Sequence, residues 1–366
     1  MRRPLGPLWL ARPTRFATLS TAGARIALAL VALLLAATWL ALDVPTTARA
    51  QGDGQSDVAL YQAVVEGMRH GGDYYTVAAD ALRSGNYPMK PFVTFRLPAL
   101  AAVQALLPPW ASIALLWTLC LAVASGWYGR LSTALPRVPP RLAALIMLAG
   151  GLVVFVQPDL VAFHEIWAGL LIALSLAVRA PGRWVQAAAL GLAAMLIRET
   201  AALYVLAMLL LAWAEGQRRE ALGWAAALAV LAVAVAAHAY AVAQVVEPLD
   251  AASPGWAGML GFGYFVRTVA ISTALAQLPL VIAAPLVGFA LVGWAAWRDP
   301  LALRALTVFA LYAALLGVAG RMDTFYWGLL VAPVFLVGLA FVPDAVRDLL
   351  AAALDKRRIT VKRVVR

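Results

Sequence analysis

Apolar residues in this chain neither alternate nor mark one face of a short helix. They come in long, nearly unbroken runs separated by brief polar breaks, mostly of a length that crosses a bilayer as a helix. Ten runs fall near 26–42, 111–128, 142–156, 160–178, 184–197, 200–214, 221–243, 278–297, 304–319 and 325–342. Only helices and closed barrels satisfy their backbone in lipid, and a barrel would read as alternating ten-residue strands, which are absent here. The pattern predicts an all-α, polytopic transmembrane helical bundle of about ten spans. Two apolar stretches are left over. The 97–110 stretch ends in Pro108-Pro109, and 262–276 contains Arg267 and is followed by Pro279. Both are expected as interfacial or re-entrant helices on the outer side, with a twelve-span bundle as the alternative if both cross. The 184–214 stretch holds 31 residues, about 46 Å as helix, too little for two full crossings of a core of roughly 30 Å. The turn at Arg198-Glu199 is therefore expected below the outer surface, in a dent open to water or headgroups.

The longest polar interruption, 43–96, is the first outer loop, in which short amphipathic helices are expected. Its densest part reads Gly71-Gly72-Asp73-Tyr74-Tyr75-Thr76, then Leu82-Arg83-Ser84-Gly85-Asn86-Tyr87-Pro88. This predicts a helix over 74–84 with Asp73 as its N-cap and Gly85 as its C′ residue.

Charge orients the bundle. With the N-terminus inside, 21 of the 29 Lys and Arg fall on inner segments, including Arg130, Arg137, Arg141, Arg179, Arg183, Arg218, Arg219 and the basic tail, as topology signals do. Residues 1–25 then form a cytoplasmic basic N-terminus, 26–342 the bundle with its outer loop, and 343–366 a cytoplasmic basic tail. A 64% hydrophobic composition and mean hydropathy of +0.84 exclude a soluble core. The +11 net charge lies in short runs between spans, so it points to topology and not to nucleic acid. The single cysteine, Cys120, excludes an internal disulfide and a cysteine-rich metal site. Arg-rich residues 1–25, the first apolar run and Ala48-Arg49-Ala50 mimic a cleavable signal, but the run is longer than a signal core and an uncleaved anchor is preferred.

Ionisable groups at membrane depth are costly and are functional candidates by default. They cluster on the outer side: His164 and Glu165, Arg198 and Glu199, Arg267, Arg321 and Asp323. Arg198, Arg321 and Arg267 can grip an anionic headgroup through the guanidinium fork. Equally, Arg198 can pair with Glu165 or Glu199, Arg321 with Asp323, and Arg267 can snorkel. His164 and Glu165 suit an acid/base site or a polar pair holding helices together, and further metal ligands at helical spacing are not apparent. His238 reads as packing or a helix–helix hydrogen bond. Asp73 can serve as a general base or simply as a cap. The cytoplasmic side shows no comparable set. There is no Walker loop, dinucleotide fingerprint or Gly-x-Ser-x-Gly elbow.

The anchor, the outer loop with Gly-Asp-Tyr-Tyr, the Leu-Arg-Ser-Gly-Asn-Tyr-Pro turn and a downstream Arg-x-Pro resemble the polytopic GT-C glycosyltransferases, bacterial polyprenyl-phosphate-mannose-dependent mannosyltransferases above all. The likeness is concentrated in 71–98 and is weaker around His164-Glu165-Ile166-Trp167 and 321–327. It implies a bacterial inner-membrane enzyme with both termini cytoplasmic and its site on the outer face. The implied reaction moves a sugar from a polyprenyl phosphate to a lipid-linked or glycan acceptor hydroxyl, with inversion. Asp73 matches the family's first-loop base. Arg198, Arg321 and Arg267 would hold the donor phosphate, with His164, Glu165, Glu199 and Asp323 in support. The family's Asp-x-Asp is Asp73-Tyr74-Tyr75 here, so metal-independent transfer is expected. A flippase for a lipid-linked sugar and a non-catalytic envelope-assembly protein are the alternatives, and no nucleic-acid partner is expected.

Overall fold

The computed structural model describes residues 6–44 and 49–355, with backbone alone for 49–56. The tail 356–366 and its basic cluster lie outside the described residues, as do Arg2, Arg3 and Ala48 of the signal-like junction. The described chain is helical, with only isolated bridges in place of strands: Lys90 to Ala252, and Ala180 to Arg183. Helices α1 (Thr21–Thr38), α2 (Arg49–Arg69), α3 (Tyr74–Ser84) and α4 (Ala99–Leu106) are followed by α5 (Pro109–Ala134), α6 (Val138–Leu152), α7 (His164–Val178), α8 (Val185–Ile197) and α9 (Ala202–Ala214). Then come α10 (Arg218–Ala243), α11 (Gly261–Ile271), α12 (Leu280–Ala296), α13 (Pro300–Ala319), α14 (Ala332–Phe335) and α15 (Val342–Ala353).

Among the described residues, four helical segments are long and apolar enough to cross a bilayer: Thr21–Leu42, Pro109–Ala134, Arg218–Ala243 and Pro300–Ala319. Met322–Leu330 and Ala332–Ala353 make a fifth when taken together, bent by 57°. Helices α6, α7, α8, α12 and the Glu199–Ala214 segment are apolar but shorter. Each of the ten apolar runs is thus helical, and the last is a broken helix where a single span was expected. Pro333 explains the break: it lacks an N–H and its ring crowds the carbonyl four residues back, that of Leu329. That carbonyl packs on Gly169 of α7, where a Cβ would overlap it.

The outer helices leave apolar faces uncovered. On α1, Ile26, Leu30 and Leu33 share one exposed face, as a lipid-facing helix requires. The opposite face of α1 sits on the bundle, with Ala24 clustered with Leu349 and Ala353, and Leu35 and Thr38 close to Gly288. At the centre, α7 buries thirteen of its fifteen residues. Trp294 of α12 packs edge-on against Trp127, Phe309 and Phe341, and its indole N–H donates to the Phe335 carbonyl at 3.0 Å.

The two leftover stretches form α4 and α11, of 8 and 11 residues, about 12 and 16 Å long. Neither reaches across a bilayer, so the twelve-span alternative is not favoured. Helix α11 inserts among α12, α13 and the 322–330 segment, with Tyr264, Phe265, Val266, Val269 and Ala270 buried.

The charged segments assigned to one side meet at one end of the bundle. The Asp344 carboxylate accepts from the backbone N–H of Leu8, Trp9 and Leu10 at 2.6–2.8 Å, and Asp348 accepts from Thr14, which fastens the N-terminal segment to α15. Arg137 reaches the Pro7 carbonyl and Arg15 that of Asp299. This end also holds a buried network that the sequence did not reveal. Arg179 pairs with Glu220 at 2.8 Å, Glu215 joins Arg304 at 2.5 Å, and Arg130 caps the carbonyls of Ala177 and Arg179. These charges, expected as topology signals, also pair with one another across α7, α9, α10 and α13.

Close backbone approach at small residues is the packing device. A Cβ on Gly338 would overlap the Ala290 carbonyl, while one on Gly129 would meet nothing within 4 Å. Gly338→Val should therefore lower stability by about 1–3 kcal/mol, whereas Gly129→Ala should be neutral or slightly stabilising. Thermal unfolding in detergent checks both, and a tolerated Gly338→Val would contradict the packing described.

Candidate active site

The segment from α2 to α4 folds over one end of the bundle. Helix α3 starts as expected: the Asp73 carboxylate accepts from the backbone N–H of Tyr75 and Thr76 at 3.0 and 3.2 Å. Its end differs by one residue. Gly85 is the C-cap with ordinary φ, and Asn86 takes the left-handed conformation at φ 55°, while Tyr87 N–H returns to the Leu82 carbonyl. This is a Schellman closure in which asparagine does the work usually given to glycine. The apolar face of α3, with Tyr74, Ala78, Ala79 and Leu82, packs on Val64 and Val65 of α2, on Phe95 and on Val242 of α10. Arg83 holds the far side, donating to both carboxylate oxygens of Asp250 at 2.9 Å and to the Val245 carbonyl at 2.7 Å. That bond holds the Asp250 carboxyl at about 2, below its ordinary 3.8. Tyr75 meets His238 Nδ1 at 3.2 Å, so this histidine joins α10 to the loop and not to another span.

Between loop and bundle lies a cavity of about 1130 Å³. Its floor is the turn between α8 and α9, where Arg198, Glu199 and Thr200 follow a helix of only thirteen residues. Arg198 is buried at this turn. Asp57, Tyr61, Arg96 and Gln104 form one wall; Arg321, Asp323, Tyr326 and Trp327 form another; His164 enters from the start of α7.

The candidates sort clearly. Arg198 binds Glu165 and Glu199 together, so its charge is already met by two carboxylates. Glu165 is fully buried, sits behind the cavity and does not line it. Arg321 lines the cavity but is held by Asp323, by Ser253 Oγ at 3.2 Å and by the Gly255 carbonyl at 3.3 Å. Arg267 is elsewhere: it donates to the Val44 carbonyl at 2.8 Å and ties down the end of the first helix. His164 lines the cavity, buried, with neither ring nitrogen bonded, its ring edge-on to Tyr61 at 4.7 Å. It makes no pair with Glu165. Asp73 does not line the cavity; it is exposed, and one of its carboxylate oxygens caps α3.

Residues passed over in the sequence complete the site. Arg96 donates to the Tyr61 hydroxyl at 3.0 Å and the Tyr326 hydroxyl at 3.4 Å, and lies over the Tyr61 ring. Among the described residues no carboxylate lies within ion-pairing distance of it. Burial works against its charge, but Tyr61, Tyr326, Glu165 and Glu199 outweigh burial and hold its pKa above the ordinary value. Burial likewise pushes the Tyr61 phenol up, so it stays protonated. Asp57 precedes Tyr61 by four residues, one helical turn, so both present to the same face of α2. The Arg-x-Pro at Arg96 was a visible signal; Asp57 had only this spacing.

Among the described residues, no group of three or more His, Cys, Asp or Glu converges as metal ligands would. Comparison with protein-family models, curated proteins and solved structures gave no match.

The Arg83 and Asp250 bond gives a pH test. A depressed carboxyl pKa contributes stability that is complete above the unfolded value near 3.8 and lost as pH falls through about 2. Limited proteolysis of 244–253 should therefore stay slow down to about pH 4 and rise below it. Arg83→Gln, which returns the Asp250 carboxyl toward its ordinary value, should speed this proteolysis at neutral pH and flatten its rise below about pH 4; an unchanged profile would contradict the pairing.

Proposed function

We propose that the protein is a membrane glycosyltransferase that moves a sugar from a polyprenyl-phosphate donor to an acceptor hydroxyl. The observation that carries this reading is Arg96, a cavity-lining guanidinium held by phenols and not by a carboxylate, in one space with the carboxylate of Asp57. A cation so placed suits a lipid phosphate, and a nearby carboxylate suits proton removal from a hydroxyl. The resemblance of 71–98 to GT-C glycosyltransferases supports the same chemistry.

In this reading the ten apolar helical runs all cross, the short ones tilted or locally thinning the bilayer, in a bacterial inner membrane. The end that gathers Arg15, Arg130, Arg137 and Arg179 faces the cytoplasm with both termini, and the cavity opens outward. Arg96 takes the donor phosphate. The charges of Arg198 and Arg321 are already paired, so they position the floor and rim, and Arg267 has no part in binding. The acceptor hydroxyl gives its proton to Asp57, and its oxygen attacks the anomeric carbon opposite the phosphate. The bond from that carbon to the phosphate oxygen breaks, and the electron pair leaves with polyprenyl phosphate, giving inversion. Arg96 stabilises the charge that develops on the leaving oxygen. Asp57 thereby takes the role first expected of Asp73.

A flippase for a lipid-linked sugar is the second reading. The buried Arg179, Glu220, Glu215 and Arg304 network at the opposite end favours it, because transporters place charge along their path. Variants separate the two. Asp57→Asn should reduce transfer of labelled sugar by about a hundredfold or more in protein that still folds. Asp73→Ala should cost about 1 kcal/mol of stability and leave transfer within a few-fold. Arg96→Gln should raise the donor KM more than it lowers kcat. Equal activity of wild type and Asp57→Asn would remove the base, and unimpaired lipid-sugar movement with no transfer would favour the flippase.

A further inference from the structure

Nine buried side-chain nitrogen and oxygen atoms among the described residues have no hydrogen-bond partner, and five of them belong to residues lining this cavity. They are both ring nitrogens of His164, Oε2 of Glu199, Oγ1 of Thr200 and Nε1 of Trp327. Buried polar groups are ordinarily paired, and folded proteins leave few exceptions. The other four are scattered over Ser112, Glu165, His238 and Arg304. A concentration of this kind marks a place where the partner is a ligand.

The groups are neighbours. His164 contacts Tyr61, Tyr61 accepts from Arg96, and Arg96 also donates to Tyr326, beside Trp327. Glu199 and Thr200 adjoin Arg198 on the floor, and Glu165, next to His164, bonds to Arg198. Their chemistry is mixed. The indole N–H only donates, the carboxylate oxygen only accepts, and the hydroxyl and neutral imidazole do both. A phosphate, which at neutral pH mainly accepts, would leave Glu199 Oε2 unmet and bring like charge against it. A hydrocarbon chain would satisfy none of them. A ring of hydroxyls, each at once donor and acceptor, satisfies all.

We infer that the cavity beside Arg96 is a subsite for a neutral, hydroxyl-rich hexosyl group, bound through Glu199, His164, Thr200 and Trp327, residues other than the Arg96 that takes the phosphate. The inference rests on the donor reading above and adds to it which residues recognise the sugar. Glu199 accepts from a sugar hydroxyl while its other oxygen stays on Arg198, so the carboxylate is fixed in place before the ligand arrives. Because the donor's two halves meet different residues, affinity for the sugar and affinity for the lipid phosphate are separable.

Binding tests this without reference to turnover. Purified protein in nanodiscs is titrated with polyprenyl phosphate and with polyprenyl-phosphate mannose, glucose and galactose. Wild type should bind at least one of the sugar-bearing lipids more tightly than the bare lipid. Thr200→Val, which keeps shape and loses the hydroxyl, should weaken that lipid about tenfold and leave the bare phosphate unchanged. Trp327→Phe and His164→Phe should do the same, and Arg96→Gln should weaken both lipids. If Trp327→Phe or His164→Phe fails to fold, Thr200→Val decides alone. Wild type that binds the bare lipid as well as every sugar-bearing one, or Thr200→Val that weakens neither or both equally, overturns the subsite and leaves the phosphate position standing. In either case the orphaned atoms hold water. Wild type that binds no lipid phosphate at all overturns the donor reading itself.

Discussion

The pair of Glu165 and Arg198 governs the architecture of the cavity. Both side chains are almost wholly buried, and they join the first turn of α7 to the turn between α8 and α9. Two charges taken out of water are costly unless they meet each other, and removing one from such a pair typically costs about 3–5 kcal/mol. The pair is thus a poor source of net stability and a strong source of specificity. It fixes a short turn inside the bundle, where irregular backbone is tolerated only if buried in protein or lining a cavity. Everything proposed for the site stands on that floor.

Above it, charge is balanced in a particular way. Arg198 has two carboxylates and Arg96 has none in contact, so the four-residue group of Arg96, Arg198, Glu165 and Glu199 is neutral while its positive end faces Tyr61 and Tyr326. The phenols orient the guanidinium without cancelling its charge. Such an arrangement is preorganised for an anion, because no ion pair must be broken to admit one. Arg321 differs: Asp323 would have to yield first.

Much of this was legible in the sequence, for definable reasons. Apolar runs located the helices because lipid imposes their length and composition. The break at Arg198-Glu199 between two apolar runs was legible as a turn because the charged pair interrupts them. Asp73 was legible as a cap because capping is local, and the pairing of Arg321 with Asp323 spans only two residues. Tertiary features were not legible. The chain offers no sign that Arg179 will find Glu220, forty-one positions on, or that Arg83 will find Asp250. The bend at Pro333 was overlooked because the composition there suits one continuous span. Asp57 was overshadowed by the richer motif at Asp73, although the face it shares with Tyr61 turns toward the cavity and that of Asp73 does not.

The central claim, that the cavity holds a lipid phosphate at Arg96 with Asp57 lining the same space, is tested most directly by a cryo-EM structure in nanodiscs with polyprenyl-phosphate mannose. The account predicts phosphate density within hydrogen-bonding distance of the Arg96 guanidinium, with the head group inside the cavity. Phosphate density at Arg267 or at the opposite end of the bundle, with the cavity left to water, would contradict it.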